Sequence, residues 1–273
     1  VTRNSIKEVI RLSKSVLDEA EMKAINETLN IGYLGMGKKV KEFENDLTDM
    51  LKRPVACVSN GTSGLHLALQ ACGIGHGDEV LVQSITYVAS FQAITATGAK
   101  PKACDVNLDS LTINLEDAKK RINKNTKAIM PVHYAGDPGE IEKIYEFASN
   151  YNLRVIEDAA HAFGSIKNGK FIGSFGDIVC FSFDGIKNIT SGEGGCVVTN
   201  DEKIINKIKD ARLIGVTQDS EARFEGKRKW EFDVLEQGWR YHMSDLMASI
   251  GISQLKKLSY FSKKRQNLAK YYD

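Results

Sequence analysis

The chain's strongest constraint is a rhythm: apolar runs of strand length return again and again, with helical stretches between them. The runs are PVACVSN (54–60), EVLVQS (79–84), KPKACDV (100–106), KAIMPVH (127–133), LRVIED (153–158), DIVCFSF (177–183) and GCVVTN (195–200). Several are continuously apolar, which suits strands buried on both faces. TSGLHLALQACG (62–73), NLEDAKKRI (114–122) and EIEKIYEFASNY (140–151) carry helical spacing between them. Such alternation predicts an α/β fold, a mostly parallel seven-stranded sheet with helices on both faces. The 273 residues hold one large α/β domain or two small ones. SVLDEAEMKAINETL (15–29) and KVKEFENDLTDML (39–51) read as amphipathic helices ahead of the sheet. Behind it come a helix in KIINKIKDARLIG (203–215), a polar stretch without periodicity (216–231), and one long helix over 243–272 with Ser244 as its N-cap.

Charge and composition exclude several function classes. A net charge of +2, with lysines interspersed among acids as in DEKIINKIKDAR (201–212), favours neither a nucleic-acid polymer nor a membrane surface. No apolar stretch reaches spanning length, and no signal peptide opens the chain. The 5 cysteines are scattered, mostly inside apolar runs and without a CxxC pair, which points to reduced thiols in the cytoplasm. The Asn-x-Thr triplets at Asn26, Asn60 and Asn188 are then chance matches to the glycosylation pattern. Because the sequence begins at Val1 and stops at LAKYYD without a breaker, both ends read as cuts in a longer protein.

Ligands of open parallel sheets bind at the carboxyl ends of the strands, so the residues after each strand matter most. After the first stands SNGTSG (59–64), opening into an apolar helix. Gly61, Thr62 and Ser63 there fit a phosphate at a helix N-terminus, and fit equally an N-cap with an Asn-Gly turn. Tyr87 follows the second strand, as a stacking surface or as core. The fifth strand ends in Asp158, a carboxylate half withdrawn from water that needs a cation or donors, unless it simply caps the next turn. His161 lies three residues on, and Ser182 closes the sixth strand. Lys187 sits in the glycine-rich loop that follows; a single lysine is usually a solvated surface residue, but a desolvated one becomes a nucleophile able to form a Schiff base.

The combination tips the balance. A phosphate cup, a flat stacking surface, a strand-end carboxylate and a loop lysine are what holding pyridoxal phosphate requires. GMGKKV (35–40) begins like a dinucleotide fingerprint, yet no strand precedes it and its third glycine is missing. The five histidines (66, 76, 133, 161, 242) lack metal-ligand spacing, so no metal is expected.

With these residues in place, the chain resembles the DegT/DnrJ/StrS family of pyridoxal-phosphate sugar aminotransferases, of the fold-type I, aspartate-aminotransferase-like class. The match is carried in order by YLGMGKKVKEFE (33–44), VSNGTSGLHLAL (58–69), GDEVLV (77–82), GAKPKACDV (98–106), VIEDAAHAFG (155–164), GDIVCFSF with Lys187 and GEGG (176–195), and SDLMASIGISQL (244–255). The resemblance implies that Lys187 forms the internal aldimine and moves the proton between substrate Cα and cofactor C4′. It implies that Asp158 keeps the pyridine nitrogen protonated and that His161 lies near the ring's O3′. Gly61, Thr62, Ser63 and Ser182 would contact the phosphate, and Tyr87 would stack on the ring. It further implies ping-pong transfer from a donor such as glutamate to a nucleotide-linked keto-deoxysugar, in a homodimer with active sites at the interface, serving polysaccharide or O-antigen biosynthesis. Tyr33 and His133 are the expected substrate contacts.

Two departures from the family pattern stand out. Where the family commonly reads G-x-N-Y-R-M, this chain has GWRYHM (238–243). Arg240 thus replaces an Asn that reaches the partner's phosphate; a guanidinium can pair with phosphate bidentately, or the contact is lost. The second departure is length: a C-terminal small domain, a unit of roughly 100 residues, is expected to be missing. The expected division is an N-terminal helical segment (1–52), a cofactor-binding large domain (53–240) and a connecting helix (241–273). Other readings are a sugar dehydratase of the same family, which Lys187 disfavours where the dehydratase replaces that lysine by His, and a non-catalytic or truncated regulatory homologue. An NAD oxidoreductase lacks its glycine fingerprint.

Overall fold

The computed structural model describes residues 13–227 and 231–272, so the first part of the expected N-terminal helical segment and three residues of the polar stretch lie outside the described residues. Two helices come first, α1 (Glu19–Ile31) and α2 (Lys38–Leu51). Strands and helices then alternate: β1 (Val55–Val58), α3 (Gly61–Ala71), β2 (Glu79–Gln83), α4 (Val88–Ala96), β3 (Lys100–Cys104), α5 (Leu115–Arg121), β4 (Thr126–Met130), α6 (Ile141–Asn150) and β5 (Arg154–Asp158). A small hairpin, β6 (Ile166–Lys167) and β7 (Lys170–Phe171), precedes β8 (Ile178–Ser182) and β9 (Gly195–Thr199). The helices α7 (Glu202–Ala211), α8 (Asp219–Phe224), α9 (Asp245–Leu255) and α10 (Leu258–Tyr272) follow.

The seven long strands form one sheet in the order β1-β9-β8-β5-β4-β2-β3. All neighbours pair parallel except β9, which is antiparallel to both β1 and β8. The reason lies in its connection. Parallel neighbours need a long crossover, usually a helix; residues 183–194 hold none and return the chain directly beside β8.

Period-two alternation divides the core between the two faces of the sheet. Ala56, Val58, Ile156, Ile178 and Cys180 pack with Leu65 and Leu69 of α3, Ile94 of α4 and Ile208 of α7. Cys57, Val179 and Phe181 face the other way, toward Phe43 and Leu47 of α2 and Ile252 of α9. On that same side Leu81, Ile129 and Val155 meet Ile144 and Phe147 of α6. Sealed on both faces, the strands leave only their ends for a ligand.

Two expectations are corrected. The stretch over 243–272 is two helices, broken at Lys256–Lys257, and the turn aims Lys257 Nζ at α1, 2.7 and 2.8 Å from the Glu21 carboxylate and 2.8 Å from Asp18 Oδ1. Ser244 does cap α9, accepting from Met247 N at 3.3 Å. The polar stretch also contains α8, whose Ser220 accepts from the fully buried Arg212 at 3.0 Å while Phe224 enters the core. Among the described residues, no helix is long and apolar enough to cross a membrane.

Candidate active site

A cavity of about 980 Å³ opens at the carboxyl ends of the strands. Its walls come from residues following β1 (Asn60 to Ser63), β2 (Thr86, Tyr87), β4 (Val132, Tyr134), β5 (Asp158, Ala160, His161) and β8 (Ser182, Asp184, Ile186, Lys187). Asp158, His161, Lys187, Ser182, Tyr87, Gly61, Thr62 and Ser63, far apart in sequence, therefore share one space.

Asp158 ends β5 with its backbone fixed on both sides: its N–H donates to Pro131 O at 2.9 Å and its carbonyl accepts from His133 N at 3.0 Å. The side chain is 5% exposed. Oδ2 accepts from Ser90 Oγ at 2.6 Å and Oδ1 from Ala160 N at 3.2 Å. Among the described residues it has no ion-pair partner. A buried carboxylate without a cation is costly, and a site that holds one is built to receive positive charge.

At the start of α3 the capping reading of NGTS is seen directly, on Asn60 and Ser63. Asn60 is the N-cap: its Oδ1 accepts from Ser63 N at 2.8 Å, while Ser63 Oγ accepts from Asn60 N at 3.2 Å and donates to Asn60 O at 2.7 Å. Ser63 lines the cavity, yet its N–H and hydroxyl are committed to this capping box. The N–H groups of Gly61 and Thr62 at the helix N-terminus, where the dipole favours an anion, have no partner among the described residues. Gly61 has a steric reason as well. A Cβ there would stand 2.9 Å from Ser182 Cβ, so only glycine lets the helix start lie against the end of β8. Thr62 and Ser182 line the cavity beside Gly61.

Lys187 rides the connection between β8 and β9. Its N–H donates to Asp184 O at 3.1 Å, and the next residue ties the loop down: Asn188 Nδ2 donates to Phe163 O at 2.7 Å and Asn188 O accepts from Arg265 Nη2 at 3.1 Å. The ammonium itself makes no hydrogen bond or ion pair among the described residues. Close approach explains Gly195, where a Cβ would lie 2.7 Å from both Asn60 C and Phe181 O. His161 lies near enough to feel the lysine: burial first, then the Lys187 charge, lowers its pKa against a smaller opposing pull from Asp158. Its ring meets Tyr134 edge-on at 6.3 Å. Tyr87, the residue before α4, is 75% exposed and lines the cavity.

Three expected residues lie elsewhere. His133, expected as a substrate contact, does not line the cavity; it is 1% exposed, with Nε2 2.7 Å from Glu157 Oε2. Tyr33 does not line it either; its hydroxyl donates to Met36 O at 3.0 Å. Arg240 is exposed on the segment that bridges to Leu213, outside the cavity and without a side-chain partner among the described residues. Conversely, Thr86, Ser90, Tyr134, Asp184 and Glu193 escaped the sequence reading. Tyr134, just beyond a strand end, carried the signal used for the others; Ser90, inside a helix, carried none.

This donor set fits pyridoxal phosphate: an amine to meet an aldehyde, a buried carboxylate for a protonated ring nitrogen, an exposed aromatic residue and a helix N-terminus on the cavity wall. Known proteins agree with the geometry. GDP-perosamine synthase of Vibrio cholerae is 40% identical over 258 residues, 94% of this chain and 68% of that protein. TlmJ, an aminotransferase of Streptoalloteichus hindustanus, superposes with a TM-score of 0.89 at 34% identity, over 97% of this chain and 70% of its own. Spr1654 of Streptococcus pneumoniae, solved in apo, PLP and PMP forms, gives a TM-score of 0.88; its PLP form is 29% identical, over 97% of this chain and 70% of its own. The family model for these enzymes matches residues 15–273, nearly the whole chain, site and scaffold alike. By sequence, fold and cavity together, the chain belongs to the DegT/DnrJ/EryC1/StrS aminotransferase family.

Proposed function

We propose that this chain is a pyridoxal-phosphate-dependent aminotransferase that moves an amino group, with glutamate as donor, onto the keto carbon of a nucleotide-linked deoxysugar. One observation carries the reading: an unpartnered amine, Lys187, and a buried carboxylate without a cation, Asp158, face the same cavity. The relative that makes GDP-perosamine supports a nucleotide-linked sugar as the substrate class. When bound, pyridoxal phosphate supplies a carbonyl that takes up the amino nitrogen and a ring that accepts the electron pair released at the donor carbon.

The chain's own residues divide the remaining work. Gly61 and Thr62 N–H groups, with the Thr62 and Ser182 hydroxyls, hold the phosphate. Asp158 would accept from the ring N–H, Tyr87 would offer a face to the ring, and His161, whose pKa burial and the Lys187 charge lower, would lie near the ring oxygen. Lys187 Nζ holds the cofactor and, when released, moves the proton of the substrate Cα. Arg240, exposed and without a side-chain partner among the described residues, could reach a phosphate bound by a second copy in a homodimer. Five free cysteines suit a cytoplasmic enzyme.

The test is spectroscopic. Protein incubated with pyridoxal phosphate should turn yellow, and borohydride should fix the cofactor's mass on Lys187 but not on the Lys187→Ala variant. Glutamate should bleach the visible band, and the right keto-sugar nucleotide should restore it. Colourless wild-type protein, indistinguishable from Lys187→Ala, overturns the cofactor reading. A band that glutamate bleaches and no keto-sugar nucleotide restores overturns the substrate.

A further inference from the structure

Behind Asp158 stands a chain of hydroxyls whose direction is fixed by proton count. Ser90 is fully buried in the first turn of α4, and its Oγ lies 2.6 Å from Asp158 Oδ2 and 2.7 Å from Thr86 Oγ1. A serine in the first turn of a helix has a free hydroxyl to spend on a local backbone group or on a distant partner. Ser90 spends its hydroxyl on a residue 68 positions away. An ionised carboxylate only accepts, so the single Ser90 proton goes to Asp158. Ser90 must then accept from Thr86, whose proton is committed too. Thr86, on the cavity wall, is left presenting lone pairs.

We propose that Thr86 and Ser90 form a one-way hydroxyl relay that holds the Asp158 carboxylate in the rotamer from which its free lone pairs meet a ring N–H. Ser90 is a positioning residue acting through Asp158, and Thr86 is the acceptor at the relay's open end. The inference rests on the cofactor reading above. Charge-assisted hydrogen bonds are about twice as strong as neutral ones, and inside the fold they fix geometry as well as charge. Losing Ser90 Oγ frees Asp158 to rotate and leaves its Oδ2 without a donor, whereas losing Thr86 Oγ1 removes only the second link.

The test compares pyridoxal phosphate with its 1-deaza analogue, which lacks the ring nitrogen. Ser90→Ala should weaken pyridoxal phosphate binding roughly tenfold, measured as a dissociation constant by quenching of intrinsic fluorescence. Affinity for the deaza analogue should change less than twofold. Thr86→Val should weaken pyridoxal phosphate by only a few fold, and Thr86→Ser, which keeps the hydroxyl, should restore it. Equal losses for both ligands would mean that Ser90 merely shapes the cavity, and unchanged affinity for both would mean that no relay operates; either result overturns the proposal. Failure of wild-type protein to bind pyridoxal phosphate would sink the cofactor reading instead. A melt of each unliganded variant, matching wild type, excludes misfolding as the cause.

Discussion

Glu157 and Asp158 are consecutive acids on one strand, and the fold treats them in opposite ways. Glu157 points to the closed side of the sheet and is completely satisfied: the Tyr145 hydroxyl donates to Oε1, and His133 Nε2 lies 2.7 Å from Oε2. Tyr145 accepts in turn from Asp177 N at 2.7 Å, and Asp177 takes both Arg154 Nε and Nη2, at 2.8 and 2.7 Å. Arg53 closes the same region with its Nη1 and Nη2 on the carbonyls of Gly173, Phe175, Gly176 and Asp177. Asp158, one residue on, accepts from a hydroxyl and one N–H and has no ion-pair partner among the described residues. Glu157 meets a hydroxyl and an imidazole in the closed interior, whereas Asp158 stands in a cavity wall, where a carboxylate can serve a ligand. Burial alone does not separate the two acids, for both are deep. Partners do.

The comparison breaks most visibly at Glu157. Glu157→Ala strands the Tyr145 hydroxyl and the His133 ring in the interior, and unsatisfied buried donors cost about 1–3 kcal/mol each. A loss of about 3 kcal/mol in urea denaturation is expected, without regard to whether cofactor is present. Asp158→Asn should move the other way in the unliganded protein, a gain of about 1 kcal/mol, because functional sites hold destabilised groups whose removal relaxes the fold. Adding pyridoxal phosphate should reverse that order, since a ligand stabilises by its affinity for the native state. If Asp158→Asn proves destabilising without cofactor, Asp158 belongs with Glu157 as a structural acid.

The same contrast explains what the sequence disclosed. Strand-length apolar runs marked all seven long strands, and topology then named the strand ends, so Asp158, Ser182 and Lys187 were legible as residues that meet in one cavity. The antiparallel β9 was not, because nothing local in GCVVTN distinguishes it; only the helix-free return over 183–194 does. His133 follows a strand end as Asp158 ends one, and the strand-end rule does not say which of them turns into the cavity. Lys256–Lys257 looks like any helical pair until Glu21, 236 residues away, is in place to take Lys257. Ser90 was silent for the same reason: its meaning lies wholly in a partner supplied by another strand.

The smallest effect tests whether Lys187 and its neighbour share one field. Two histidines face the two acids' sides: His133 is locked to Glu157, while His161 stands in the cavity near Lys187. Burial and the lysine's charge both hold His161 below the ordinary histidine value of 6.5. In the unfolded chain that histidine takes its proton as pH falls through the ordinary range, and in the folded protein it does not until lower pH. Stability from this group is therefore present above that range and lost as pH falls through it toward the folded value. Wild-type protein should lose more stability between pH 7.5 and 5.5 than His161→Gln, with the other titrating groups cancelling in the difference. Lys187→Met removes the second cause and leaves the first, so an NMR titration of the His161 ring should move up but stop short of the unfolded value. An unmoved midpoint would mean that burial alone sets His161, and that the cavity's amine and imidazole do not sense each other.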